Sequence, residues 1–367
     1  MPEDRPTLES AVSERRRALA HEDGPLLVVG APGTGKTELL AGRLAHLEAQ
    51  GTRPENVLTI ASRQATADRL RERCEALLRG PFEELWVGSW DAIGERLLRE
   101  HSDEAGLDPF FDVLGRAERL AMLLDRLDRL PLRRHEIRGN PAGLLARLLA
   151  RIDRLKAERV GPTTLSERAQ AAQPADEAGR EAQRRELEFA ELYVAHDRIV
   201  AESGSLDRGD VFLALDCLLV ERPDVRRRIA ERFRQLMVDE LEEASPAQRA
   251  VLESLAADNP NQVFALEAGA DEAWFTQLHP EGEKVLLQER FRDPQLSFWR
   301  CTNERAQAQA VARGIEHLIA AGTAAEEICV LVADPAQRGG AVAAAMEERG
   351  IPFHLSGPTA LFQRPEV

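Results

Sequence analysis

Pro25-Leu26-Leu27-Val28-Val29 runs directly into Gly30-Ala31-Pro32-Gly33-Thr34-Gly35-Lys36-Thr37, and Glu38-Leu39-Leu40 opens a stretch with leucine at helical spacing. The order is strand, glycine-rich loop, helix. Glycines at these places let backbone N–H groups turn inward around the β- and γ-phosphates of a nucleotide. The Lys36 ammonium neutralises those phosphates, and the Thr37 hydroxyl is placed to ligate Mg²⁺. The competing explanation is a chance glycine-rich turn, which the composition of the chain produces in roughly one such sequence per thousand. Lysine is scarce: Lys36, Lys156 and Lys284 are the only three, and the other 45 of the 48 basic residues are arginine. One of three lysines falling at that position favours the phosphate loop.

Working outward, Val57 to Ile60 reads as a second strand, Ala65 to Leu78 as a helix, and Leu85 to Gly88 as a third strand. Strands separated by helices of this length predict an α/β fold, a parallel sheet with helices on both faces. From about Ile93 to Val200, Leu/Ala/Arg/Glu sequence at helical period continues without a convincing strand, predicting an all-helical insertion. Its breaks fall at Gly106-Leu107-Asp108-Pro109, Gly139-Asn140-Pro141, Gly161-Pro162 and Gln173-Pro174. Strands resume at Leu236-Met237-Val238 and at Gln262 to Leu266. After Arg292 a second αβ segment is expected, with strands at Ser297–Cys301, Ile328–Val332 and Pro352–Leu355 and helices at Glu304–Ala321 and Gly339–Arg349.

The charge balance narrows the function classes. With 63 acidic residues and a formal charge of −15, the chain is not built to coat nucleic acid or an anionic membrane through bulk charge, so any polyanion site must be local. The Met1 region is charged and no apolar run approaches the 18 residues of a membrane span, which predicts a soluble, cytoplasmic protein. Cys74, Cys217, Cys301 and Cys329 stand singly, without metal-site spacing, and are expected to be buried reduced thiols.

A nucleoside-triphosphatase needs a second half: an acidic residue closing an apolar strand to hold Mg²⁺, then a carboxylate to orient the attacking water. Leu236-Met237-Val238-Asp239-Glu240 supplies both, about 200 residues after the phosphate loop. The order and spacing of these segments resemble the UvrD/PcrA-type superfamily 1 DNA helicases and their relatives in the RecB, AddAB and AdnAB recombination complexes. VDELEEASPAQ (Val238 to Gln248) resembles the family's VDEYQDTNPAQ, and SLDRGDVFLALDCLL (Ser205 to Leu219) its LDFDDLL helix. LQERFRD (Leu287 to Asp293) resembles LxxNYRS, and EEICVLVADPAQ through GIPFHLSGPTALFQRPEV the start of a second RecA-like domain.

The resemblance implies a RecA-like P-loop domain 1A over residues 1–92 and 205–290, a helical insertion 1B over 93–204, and a partial, truncated domain 2A over 291–367. It implies ATP and Mg²⁺ as cofactors. Gly30 to Thr37 would bind ATP, Thr37 and Asp239 would hold the metal, Glu240 would position water, and Arg292 would stabilise charge on the transferring phosphoryl group. Single-stranded DNA is the implied partner in repair or recombination, alongside a helicase or nuclease partner subunit. Its contacts would be Arg63, in the loop Ala61-Ser62-Arg63-Gln64 that aligns with TFTN, and Trp274 and Phe275, near the position where a base stacks. Packing aromatics and a solvated loop are the structural alternatives for these three.

The departures from the family pattern are specific. Glu242 replaces the glutamine that follows the acidic pair, Glu267-Ala268-Gly269-Ala270-Asp271 replaces GDxxQ, Asp91 replaces the histidine of TFHSF, and Arg15 lies nearest to the adenine-reading glutamine. They suggest a second function, a helicase-like nucleotide-binding structural or regulatory subunit that hydrolyses poorly. An unrelated P-loop kinase or transporter ATPase would leave the SPAQ and PFHLSGP resemblances unexplained. The later 2A motifs and domain 2B do not occur in these 367 residues, which are expected to bind nucleotide weakly and not to unwind a duplex alone.

Overall fold

A computed structural model describes residues 8–134, 139–288, 297–333 and 339–355. The chain forms two compact units, Met1–Arg290 and Phe291–Val367. In the first, helix α1 (Leu8–Ala20) precedes strand β1 (Pro25–Gly30), α2 (Lys36–Ala49), β2 (Val57–Ala61), α3 (Gln64–Leu77) and β3 (Trp86–Ser89). A helix-rich stretch follows: α4 (Trp90–Glu100), α5 (Ser102–Ala105), β4 (Asp112–Leu114), α6 (Arg116–Leu124), α7 (Pro141–Ala157), α8 (Pro162–Ala171), α9 (Glu177–Glu202), β5 (Ser205–Asp207), α10 (Arg208–Glu221) and α11 (Pro223–Arg232). The main sheet resumes with β6 (Gln235–Val238), α12 (Pro246–Ala257), β7 (Gln262–Glu267), α13 (Ala273–Leu278) and β8 (Glu283–Leu287).

The sheet is parallel throughout, in the order β3-β2-β6-β7-β1-β8. Its apolar strands are continuous because both faces are covered. Along β1, Leu27 and Val29 join a core built with α4, α10 and α12, while Leu26 and Val28 join the opposite core built with α2 and α3. This is a RecA-like α/β fold. Within this sheet, β8 is the strand that sequence periodicity missed. It lies at the sheet edge, so only Val285 and Leu287 of its five residues are buried and the apolar signal is halved.

Between β3 and β6 the prolines do what their positions dictate. Pro141 and Pro162 begin α7 and α8, where a missing N–H costs nothing. The stretch is not wholly helical, however. Asp112–Leu114 forms β4 and pairs in parallel with β5. Three residues of mixed exposure carry too little alternation to be read from sequence.

A buried charged cluster joins this helical region to the start of α10. The Lys156 ammonium of α7 lies 2.8 Å from Asp207 Oδ2, 2.5 Å from Asp210 Oδ1 and 2.8 Å from Asp197 Oδ1. Arg119 of α6 adds Asp207 at 3.1 Å and Asp153 at 2.7 Å, and His196 Nδ1 lies 2.9 Å from Asp197. Asp207 and Asp210 also form the capping box of α10. Gly209 is required because a Cβ there would sit 2.6 Å from the Lys156 Cβ.

The second unit contains α14 (Glu304–Ala320) and α15 (Gly340–Glu347), packed through Ala308, Ala312, Ile315, Ala345 and Met346. Ser297–Cys301, Ile328–Val332 and Pro352–Leu355, expected as strands, belong to no ladder among the described residues. An apolar run becomes a strand only when a neighbour supplies the hydrogen bonds, and Leu331 here is 91% exposed. The cysteines also depart from expectation. Only Cys74 is buried, Cys301 is intermediate, and Cys217 and Cys329 are exposed free thiols. Among the described residues no helix is long and apolar enough to cross a membrane.

Removing the cation while leaving its carboxylates buried is costly, so Lys156→Met is expected to lower unfolding free energy by about 3–5 kcal/mol. Urea denaturation measures this, and a change under about 0.5 kcal/mol would show that the cluster is not a structural joint.

Candidate functional site

The loop after β1 owes its shape to two glycines. Gly33 and Gly35 have φ of 80° and 84°, a region L-residues avoid, and a Cβ on Gly30 would collide with the Thr34 hydroxyl. Thr34 is buried and closes the turn by donating its hydroxyl to the Ala31 carbonyl at 2.9 Å. Lys36 Nζ donates to the Gly30 carbonyl at 2.6 Å and to Ala31 at 3.3 Å, which holds the ammonium on the loop it would share with phosphates. α2 begins here, so its free N–H groups and the positive end of its dipole face the same space.

The carboxyl ends of β6 and β1 are separated in the sheet by β7, and the first turn of α2 bridges them. Thr37 Oγ1 donates to Asp239 Oδ2 at 2.6 Å. Asp239 is fully buried, its backbone N–H is bound by the Ile60 carbonyl at 2.8 Å, and no cation among the described residues lies within 4 Å of its carboxylate. Burial raises its carboxyl above the ordinary value, and the negative charge of Glu240 adds to this, against the Thr37 hydrogen bond and the more distant Lys36. A buried carboxylate and a threonine hydroxyl are hard oxygen donors of the kind a Mg²⁺-class ion takes, so these residues fit such an ion.

Glu240 follows with φ 53°, and it shares a left-handed conformation with only Arg159 among the described non-glycine residues. Holding an L-residue there costs on the order of 1 kcal/mol, and it turns the side chain back toward β2. Glu240 Oε2 accepts the Ser62 hydroxyl. The next acidic residues are engaged too: Glu243 pairs with Arg63 at 3.5 Å, and Glu242 accepts the Glu267 N–H at 3.1 Å. The sequence drew attention to Arg63 in this loop and not to Ser62, because a lone serine in a polar loop has no periodicity.

Lys36, Thr37, Asp239 and Glu240 are thus brought together. The remaining candidates separate. Arg63 is exposed at the N-cap of α3, at the edge of this acidic loop. Phe275 is corrected: it is 4% exposed, packs edge-on to Phe264 with centroids 5.8 Å apart, and touches Gly282, so no ring face is open to a base. Trp274 is half-buried, lies edge-on to Phe264, and donates its indole N–H to Glu253 at 2.7 Å. Arg292 lies outside the described residues. The Arg226–Arg228 run, given no role from sequence, forms ion pairs with Asp258, Asp224 and Glu104.

A phosphate loop after the first strand and an acidic pair after another strand of the same parallel sheet define a P-loop fold of the RecA-like class. The family model described as UvrD/REP helicase N-terminal domain matches residues 11–271. The chain belongs to the UvrD/REP helicase family. It is 26% identical over 305 residues to the ATP-dependent DNA helicase PcrA of Leuconostoc citreum, covering 79% of this chain and 38% of that protein. To PcrA of Bacillus subtilis it is 22% identical over 398 residues, covering 96% of this chain and 51% of that protein. PcrA of Staphylococcus aureus gives 23% over 295 residues, covering 76% of this chain and 38% of that protein. The chain therefore spans about half, or less, of the length of these relatives.

A raised Asp239 carboxyl fixes the sign of a stability effect. The contribution of such a group is fully present below its unfolded value and is lost as pH rises through the higher folded value, so ionised Asp239 destabilises the ligand-free protein at neutral pH. Asp239→Asn is expected to stabilise the ligand-free protein by about 1 kcal/mol at pH 7.5, with the gain shrinking toward pH 4. Thermal unfolding at both pH values checks this, and a destabilised variant at pH 7.5 would contradict it.

Proposed function

We propose that this chain is the nucleotide-binding portion of an ATP-dependent DNA helicase or translocase that acts on single-stranded DNA in repair or recombination. The observation that carries the reading is the 2.6 Å contact between Thr37 of the phosphate loop and the buried Asp239. A fully buried carboxylate without a cation is stable only at a cost, and the cost makes sense if a metal–nucleotide complex neutralises it. Lys36 and the N–H groups of residues 33–37 would hold the phosphates of ATP. Thr37 and Asp239 would hold Mg²⁺, which supplies neutralisation of charge on the transferring phosphoryl group. Glu240, turned by its backbone toward Ser62, is the group to orient water and accept its proton. Arg292 is retained in its implied role of stabilising charge on that group.

The domain reading follows from the same frame: residues 1–92 and 205–290 as 1A, 93–204 as 1B, and 291–367 as part of 2A. It is supported by the helical core of Leu145, Leu149, Ile152, Phe189 and Tyr193, which is separate from the two cores flanking the sheet. For DNA, Arg63 is the residue we retain as a phosphate contact, since its neighbours Ser62 and Glu243 link that loop to the hydrolytic acids. The purely structural subunit is not favoured, because Lys36, Thr37, Asp239 and Glu240 converge.

Lys36→Ala should weaken MgATP binding by about 100-fold or more in calorimetry, and unchanged affinity would sink the phosphate-loop assignment. Glu240→Gln should retain MgATP binding yet lower any ATP turnover by about 10²–10⁴-fold. Arg63→Ala should weaken single-stranded DNA binding and reduce the slope of log K against log salt by about 0.7. A slope identical to that of the unaltered chain would remove Arg63 from the interface.

A further inference from the structure

The loops that follow β2 and β6 meet because the two strands are paired. In their parallel ladder Ile60 lies opposite Val238, and the Asp239 N–H extends the ladder by donating to the Ile60 carbonyl at 2.8 Å. Counting on from that register, Ser62 comes level with Glu240. Two side-chain contacts then join the loops. The Ser62 hydroxyl donates to Glu240 Oε2, and Arg63 Nη2 lies 3.5 Å from a carboxylate oxygen of Glu243. The single 3₁₀ turn Leu241–Glu243 that carries Glu243 is anchored by Leu241, which is buried.

Adjacent acids of this turn face opposite ways. In the sheet order β2 lies on one side of β6, and β7 and then β1 lie on the other. Asp239 turns toward the β1 side, where its carboxylate meets Thr37 beside the phosphate loop. Glu240 turns back toward β2. Its φ of 53° is costly for an L-residue, and such a conformation persists only where the surroundings hold it. The hydrogen bond from Ser62 is a contact that holds it on that side.

Building on the reading of this site as a nucleotide hydrolase, we infer that Ser62 is a positioning residue that holds Glu240 on the β2 side of β6, away from the phosphates, and so restrains hydrolysis in the ligand-free chain. A water in line with the terminal phosphate stands on the cradle side, within about 3 Å of the carboxylate that takes its proton. Glu240 bonded to Ser62 faces away from that position. A hydroxyl donating to a carboxylate is a charge-assisted hydrogen bond, strong enough to set the rotamer of an otherwise free side chain. Breaking it lets Glu240 swing across β6 while Lys36 and Thr37 stay where they are. Because Ser62 lies three strands from the phosphate loop, its effect falls on turnover and not on nucleotide affinity.

Single-turnover cleavage of MgATP by an excess of the whole chain tests this, with affinity measured by calorimetry and Glu240→Gln setting the floor. Ser62→Ala should raise the cleavage rate about tenfold, the effect of losing one charge-assisted hydrogen bond, and leave MgATP affinity unchanged. Ser62→Cys, which keeps the size but only a weak donor, should gain as well, and Ser62→Thr, which keeps the hydroxyl, should match the unaltered chain. A merely structural defect slows cleavage, so faster variants have no such explanation. Rates in Ser62→Ala and Ser62→Cys that are unchanged or lower overturn the inference, because Ser62 is then idle or orients Glu240 productively. An equal gain in Ser62→Thr overturns it too, since the hydroxyl is then not the cause. So does a loss of MgATP affinity in Ser62→Ala when thermal unfolding is unchanged. In these cases Lys36-dependent MgATP binding by the unaltered chain leaves the nucleotide site standing. Failure of the unaltered chain to bind MgATP overturns both.

Discussion

A fully buried carboxylate at the end of a central strand, touching a threonine hydroxyl and no cation, is the constraint around which the first unit is arranged. Taking a charged carboxylate out of water costs several kcal/mol unless something neutralises it. The surroundings supply only part of that. Thr37 gives one hydrogen bond, the Glu240 N–H gives another at 3.1 Å, and Lys36 is occupied by loop carbonyls. The sheet and its two apolar cores must carry the remainder, which they do by covering both faces of every interior strand.

The Lys156 cluster shows what the same fold does when buried carboxylates are structural. Asp207 is as deeply buried as Asp239, yet it faces an ammonium at 2.8 Å and a guanidinium at 3.1 Å. Those cations hold the Asp207 carboxyl below its ordinary value despite burial, whereas burial leaves Asp239 raised. His196, Asp197 and Asp207 have the spacing of a metal site, but the Lys156 ammonium already bonds both carboxylates, so that cluster supplies its cation from within. Of these two buried carboxylates, Asp239 is the one that asks for a ligand.

How much of this was legible in the sequence depended on the range of each signal. The phosphate loop was legible because its chemistry is contiguous: eight residues, two of them glycines at positive φ, and a scarce lysine. Asp239 and Glu240 were legible because an apolar strand precedes them. The left-handed turn at Glu240 and the Ser62 hydroxyl it meets were not, since the turn answers to a contact between segments far apart in the chain. The Trp274-Phe275 pair misled for the opposite reason. An aromatic pair after a strand reads the same whether it faces solvent or core, and Phe264, Gly282 and Glu253 decide the matter only in three dimensions. β4 and β8 were lost because a short or one-sided strand carries little hydrophobic pattern.

Of the two altered glutamine positions, Glu242 changes which protons the site can offer. Glu242 spends an oxygen on the Glu267 N–H at 3.1 Å, and Glu267 ends β7 beside Gly30 in register. A glutamine could accept that N–H with its carbonyl oxygen and still donate from its amide nitrogen to a phosphate oxygen. An ionised carboxylate can only accept, so it would meet a phosphate placed there as one anion meeting another. On the proposed reading, the change would leave Lys36, Thr37, Asp239 and Glu240 in place for phosphate, metal and water, and would remove one donor from the β6–β7 side of the site. In the proposed roles, charge on a transferring phosphoryl group would then fall more heavily on Lys36, on a metal that Thr37 and Asp239 would hold, and on Arg292, which would make turnover more sensitive to those groups than binding is.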